Sequence, residues 1–247
     1  MSTTLITGAS SGLGAEMARQ LAARGHDLAL CARRTDRLTE LATEITTAHP
    51  DRRVVVKALD VTDHDAVFGV FEEFRDELGG LDRVVVNAGL GKGRPLGTGR
   101  FDANKQTAET NVIGALAQTE AAAAIFRAQG SGHLVMVSSF SALRGMPGNI
   151  TTYAATKAAV AHLAEGFRAD VHGTPIKVTV LYPGYIVSEM SGTSAKTPLM
   201  ASTEKGVRAM VEAIEKEKKS AVVPAWPWVP LGFVIKRVPV GVLRKMS

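Results

Sequence analysis

The sequence predicts a doubly wound α/β domain, with a mainly parallel, seven-stranded sheet and helices on both faces. Three observations lead there. Short β-branched runs alternate with longer segments of helical periodicity. A glycine-rich turn from Gly8 to Gly14 follows the first of those runs. Hydrophobic residues make up 45% of 247 positions, ample for one well-packed core.

In chain order, the strands are TTLIT, HDLALCA, VVVKALD, LDRVVVNA, GHLVMVSS, IKVTVLYP and AVVPA. Between them AEMARQLAARG, DRLTELATEITTAH, AVFGVFEEFRDELG, the alanine-rich stretch from Thr107 to Arg127, and YAATKAAVAHLAEGFRADVHG carry helical spacing. No linker, repeat or low-complexity block breaks this rhythm before Ala221. Residues 1–220 therefore read as one domain, and 221–247 as an apolar, basic tail packed on that domain or on a partner. The segment from Val187 to Glu204, with Gly192 and small polar residues, reads as a mobile lid.

Composition excludes several classes. The lone cysteine, Cys31, lies in the apolar run LALCA, so no internal disulfide forms and a reducing cytoplasm fits. The N-terminus has neither a basic leader nor a long apolar stretch, so no secretion is implied. The net charge of +5 belongs to the tail: residues 216–247 carry seven basic side chains against Glu217, or +6, which leaves −1 for the rest. Nucleic acid is not the expected partner. The six histidines lack zinc-type spacing, so no metal is expected. Asp60, Asp63 and Asp65 precede AVFGVFEEF and read as helix-capping residues, which argues against a hydrolase.

The chemistry-bearing residues fall in two groups. In TGASSGLG, Gly8, Gly12 and Gly14 occupy a strand-to-helix turn, with Ser10, Ser11 and Leu13 between them. Such a turn lets a diphosphate approach amides at a helix N-terminus, where the dipole favours negative charge. The second strand ends in Ala32, Arg33, Arg34 instead of a carboxylate. Nothing there repels a ribose 2′-phosphate, and a guanidinium can hold one through a charge-assisted fork, which points to NADP over NAD. Further on, Tyr153 and Lys157 stand at i and i+4, on one helix face, where an ammonium favours the phenolate and equips the phenol for proton transfer. The paired serines Ser138 and Ser139 precede them.

On these motifs the chain resembles the short-chain dehydrogenase/reductase family, of the single-domain, NADP-preferring type, over nearly all its length to about Glu215. The matches are TGxxxGxG from Thr7 to Gly14, the NAG element at Asn87, Ala88 and Gly89, the helix asparagine Asn111, the serine region, YxxxK, and a PG turn at Pro183 and Gly184. Val86 replaces a first asparagine common before the AG pair, and Ser188 stands where threonine is common. The loop from Ser139 to Tyr153 is one residue longer than the commonest spacing.

The resemblance implies a Rossmann-like fold and a hydride transfer between NADP(H) and a carbonyl or alcohol. Tyr153 would exchange the proton, Ser139 would hold the substrate oxygen with Ser138 and Ser141 as substitutes, and Lys157 would hold the nicotinamide ribose. Asn111 would anchor a water feeding Lys157. Asp60 and Val61 would lie beside the adenine, and Ile186 and Ser188 would meet the nicotinamide carboxamide. Family members commonly form dimers or tetramers through the alanine-rich helices, so a homo-oligomer is expected.

Two other readings stay open: a catalytically silent nucleotide-sensing protein, and a membrane-surface reductase of lipid-like ketones. For the second the tail is the witness. Its Trp226, Trp228 and Phe233 beside basic residues suit a membrane interface, a cover over the substrate cleft, or a subunit contact. Four prolines and the Lys236, Arg237 pair break its apolar run, so it does not span a bilayer.

Overall fold

A computed structural model describes residues 2–189 and 199–244. Seven strands form one sheet: β1 (Thr3–Thr7), β2 (Asp27–Ala32), β3 (Val54–Ala58), β4 (Arg83–Val86), β5 (Gly132–Val137), β6 (Ile176–Pro183) and β7 (Ser220–Val223). The order is β3-β2-β1-β4-β5-β6-β7 and every neighbouring pair is parallel. The winding direction reverses between β1 and β4, and the crevice beyond the carboxyl ends of those strands is where open α/β sheets bind ligands.

Alternate strand residues serve opposite faces. Leu5, Val84 and Leu134 join Phe71, Phe74 and Phe126 beneath α3 (His64–Leu78), α5 (Gly114–Gln129) and α6 (Thr151–Asp170). Ile6, Val85 and Val135 point the other way, against Met17, Leu38 and Met210 of α1 (Gly12–Ala22), α2 (Thr35–Ala48) and α7 (Thr203–Glu215). The result is the Rossmann-like, doubly wound architecture expected from the sequence.

Three segments differ from the sequence reading. The single helix expected from Thr107 to Arg127 is α4 (Phe101–Ala108), a π turn (Glu109–Ile113) and α5. The wider turn carries Asn111 inward, where it is almost wholly buried. The helix α7 had not been foreseen; Ser202 caps it by accepting from the Lys205 amide at 3.3 Å. Beyond β7 the tail is helical, as α8 (Ala225–Ile235) and α9 (Val240–Leu243). Trp226 has extended dihedrals, so regular helix begins at Pro227, where a missing N–H costs no helical bond, and Pro230 lies just inside the helix, where it leaves the Trp226 carbonyl without its helical donor.

Of the lid expected over Val187–Glu204, residues 190–198, Gly192 among them, lie outside the described residues.

Candidate active site

The β1–α1 turn is built on close backbone approach. Gly8 has φ +65°, and a Cβ there would stand 2.9 Å from the Cα of Ala88. Thr7 Oγ1 accepts from the amides of Asn87 and Ala88, both at 3.1 Å, while Asn87 Nδ2 donates to the Thr7 carbonyl at 2.9 Å. The NAG element is thereby locked against the glycine turn, with the end of β4 alongside the end of β1.

A cavity of about 880 Å3 opens over these strand ends. At one end it is walled by Gly8, Ser10, Ser11, Gly12, Leu13 and Gly14, by Arg33 and Arg34, and by Asp60 and Val61. Asn87, Ala88 and Gly89 line its middle, with Pro183, Gly184, Ile186 and Ser188. Ser139, Tyr153 and Lys157 line the far end. Of the expected site residues, Asn111 alone is absent from this wall.

At the phosphate end the two arginines are unequal. Arg33 is largely exposed, its Nη1 3.8 Å from the Asp60 carboxylate. Arg34 folds over the turn and donates to Ser11 Oγ at 2.6 Å, Ser10 Oγ at 3.3 Å and Glu189 at 3.1 Å. Arg37, on the next turn of α2, donates to the other oxygen of Glu189. Sequence reasoning missed both Arg37 and Glu189; the i, i+3 spacing of Arg34 and Arg37 was the available signal.

At the chemical end, α6 places Tyr153 and Lys157 on its buried face. Lys157 Nζ donates to the Val137 carbonyl at 2.9 Å and lies 5.9 Å from the centre of the Tyr153 ring. Burial pulls Lys157 down to about 8. Tyr153 is raised above its ordinary value, because burial outweighs the hydrogen bond from its neighbour Ser139. In the chain alone the Lys157 ammonium donates to the Val137 carbonyl, and burial is the largest influence on the phenol.

The serines separate cleanly. Ser138 is buried and donates to the Lys157 carbonyl at 2.7 Å, so its hydroxyl holds α6 against β5. Ser139 contacts Tyr153 and lies 3.0 Å from Ser141 Oγ. Asn111 has its amide filled: Nδ2 donates to the Leu90 carbonyl and Thr156 Oγ1 at 2.9 and 3.1 Å, and Oδ1 accepts from the Leu90 amide at 2.7 Å. Its side chain therefore braces the loop after β4, and Oδ1 and Lys157 Nζ would each stand 3.3 Å from a Cβ built at Gly89.

The tail supplies a wall that the sequence left open among three placements. Trp228, Leu231, Val234, Ile235 and Val238 roof the far end. Trp228 packs edge-on to Phe140 and Tyr185, at 4.9 and 5.2 Å. A Cβ at Gly184 would stand 2.3 Å from the indole, so the PG turn is what admits this ring. Arg144 fastens the helix end by donating to the Val238 carbonyl at 3.3 Å.

A sequence profile for the short chain dehydrogenase family matches residues 2–199. An uncharacterized oxidoreductase of Mycobacterium tuberculosis is 54% identical over 243 residues, which covers 98% of this chain and 96% of that protein. Another, from Myxococcus xanthus, is 35% identical across 92% of this chain and 87% of its own length. Among solved structures, an alcohol dehydrogenase from Thermococcus sibiricus complexed with 5-hydroxy-NADP superimposes with a TM-score of 0.81 at 26% identity, over 90% of this chain and 95% of that one. With the profile covering most of the chain, and relatives of this identity along nearly its whole length, the chain belongs to the short-chain dehydrogenase/reductase family of oxidoreductases.

Proposed function

We propose that the protein reduces a carbonyl compound with NADPH, or oxidises the corresponding alcohol with NADP, and that Tyr153 exchanges the proton. One observation carries this reading: a single cavity joins the glycine turn and Arg34 at one end to the Ser139–Tyr153 pair at the other. The residues present fit the cofactor. Amides at the N-terminus of α1 suit a diphosphate, and Ser10, Ser11, Arg34 and Arg37 supply a hydroxyl- and guanidinium-rich corner for a 2′-phosphate. The similar alcohol dehydrogenase from Thermococcus sibiricus, which is complexed with 5-hydroxy-NADP, supports this choice.

When bound, the nicotinamide supplies or takes up the hydride. The chain's own groups do the rest. Ser139 holds the substrate oxygen and steadies the charge that grows on it. Tyr153, protonated across the neutral range because burial raises it, stands ready to donate its proton to that oxygen. Lys157, cationic below about 8, lies beneath the ring, holds the nicotinamide ribose, and favours the phenolate left behind. The Trp228 roof keeps water from the reacting atoms. We further assign the protein to the cytoplasm, as a homo-oligomer built on its alanine-rich helices.

A panel of aldehydes, ketones and diketones assayed with NADPH and NADH in parallel tests the reading. Oxidation of NADPH with at least one carbonyl, at higher kcat/KM than with NADH, is the expected result. No oxidation of either cofactor across the panel, with NADPH still bound, would establish a nucleotide-sensing protein instead.

A further inference from the structure

The helix α8 is apolar on two sides. Its inner residues Trp228, Leu231 and Ile235 roof the cavity, whereas Trp226 and Phe233 point outward at 79% and 64% exposure. Val240 and Val242 of α9 extend the outer patch. The two sides meet: Val234 and Val238 line both the cavity and a shallow surface groove formed with Phe233, Arg237 and Pro239. An apolar molecule entering along that groove would leave water before it reached Tyr153.

Charge selects what covers this face. The 27 residues from Ala221 to Ser247 contain no Asp or Glu, while Lys236, Arg237, Arg244 and Lys245 are basic. Lys236 and Arg237 are exposed beside the outward aromatics. In an isologous contact a second copy would set these cations against their own counterparts, a repulsive arrangement. An anionic surface pairs with them while taking up the aromatic and aliphatic side chains. Among the described residues no helix is long and apolar enough to cross a membrane, so the contact is peripheral.

We propose that α8 and α9 dock on an anionic lipid surface, and that the cavity beneath receives an apolar, lipid-like carbonyl compound from it past Val234 and Val238, the side chains that the groove and the cavity share. The docking stands on geometry and charge; the substrate class rests on the carbonyl-reductase reading above.

Flotation of the full chain with vesicles of phosphatidylcholine alone, or mixed equally with phosphatidylglycerol, tests the docking. The chain floats with the anionic vesicles and not the zwitterionic ones, and partitioning falls about 10-fold or more in Trp226→Glu/Phe233→Glu. The charge-reversed Lys236→Glu/Arg237→Glu behaves alike and guards against misfolding of the first variant. Both keep the wild-type rate on a short, water-soluble carbonyl. Absence of wild-type flotation, or equal flotation of both variants, overturns the proposal. So does sedimentation showing that the variants only dissociate an oligomer. Methyl ketones of increasing chain length, carried in the same vesicles, then test the substrate class. Turnover efficiency rises about 10-fold or more from four to twelve carbons, in line with burial of added methylenes; a flat series overturns the apolar assignment. If no ketone and no soluble carbonyl is reduced, the reductase reading fails with it, and the vesicle result still decides the docking.

Discussion

The two edges of the sheet bury polar groups in opposite ways. At the amino edge, Arg83 Nε donates to His133 Nδ1 at 3.1 Å, and His133 Nε2 meets Thr179 Oγ1 at 2.8 Å. Arg83 Nη1 reaches Glu215 at 2.8 Å, and His26 lies 3.3 Å from the same carboxylate. Each of these groups already has protein partners, and they tie β4, β5, β6 and α7 together. At the carboxyl edge, Lys157 is buried as deeply, Tyr153 and Ser139 are half-buried, and all three line a cavity. Burial with perturbed protonation marks both edges, so burial alone does not identify a site; an adjoining space for a ligand does.

The sharpest break between the edges is at Lys157. Lys157→Met lowers turnover by about 10²–10⁴-fold, because the phenolate loses the cation that favours it. It also stabilises the chain lacking cofactor by about 1–2 kcal/mol at pH 7, since a buried charge is replaced by an apolar group of similar length. The wild-type penalty is fully present below about 8, and stability therefore rises with pH between about 8 and the ordinary lysine value of 10.5. Urea unfolding of both proteins at pH 7 and pH 9.5 reads the difference.

The amino edge responds the opposite way. Arg83→Ala strands His133 and Glu215 and costs about 3 kcal/mol of stability, with kcat within about twofold of wild type. Calorimetric melting beside a steady-state assay separates the two effects.

Arg34→Ala raises KM for NADPH about 10- to 100-fold, the worth of a charge-assisted contact, and leaves KM for NADH nearly unchanged. Equal losses for both cofactors would show that Arg34 only shapes the turn.

The smallest effect is acid sensitivity. Burial first, and Arg83 next, push His133 down to about 3, well below its ordinary 6.5. Between those values the unfolded chain binds more protons, so stability falls as pH drops through 6.5 and the loss is complete near 3. Between pH 7 and pH 4.5 it amounts to about 2 kcal/mol, and His133→Gln flattens that part of the profile. Denaturant midpoints at the two pH values check it.

The sequence exposed these edges unevenly. The glycine turn, the arginines after β2 and the Tyr153–Lys157 pair were legible because each is a local pattern whose geometry follows from helix and turn rules. The helix α7 was equally local: Val207, Met210, Val211 and Ile214 repeat at helical spacing behind a serine cap. It was overlooked beside the segment read as a lid. Other features depend on distant contacts and leave no local trace. The turn that buries Asn111 is set by Leu90 and Thr156, the Glu189 bridge by two arginines on another helix, and the roof by Gly184 admitting Trp228.

The central claim concerns one hydroxyl, and Tyr153→Phe tests it directly when NADPH binding by titration is measured on the same preparation as carbonyl reduction. The account predicts an affinity for NADPH within about twofold of wild type and a kcat lower by about 10³-fold or more. A variant that binds NADPH and still reduces the carbonyl at a rate near wild type would contradict it.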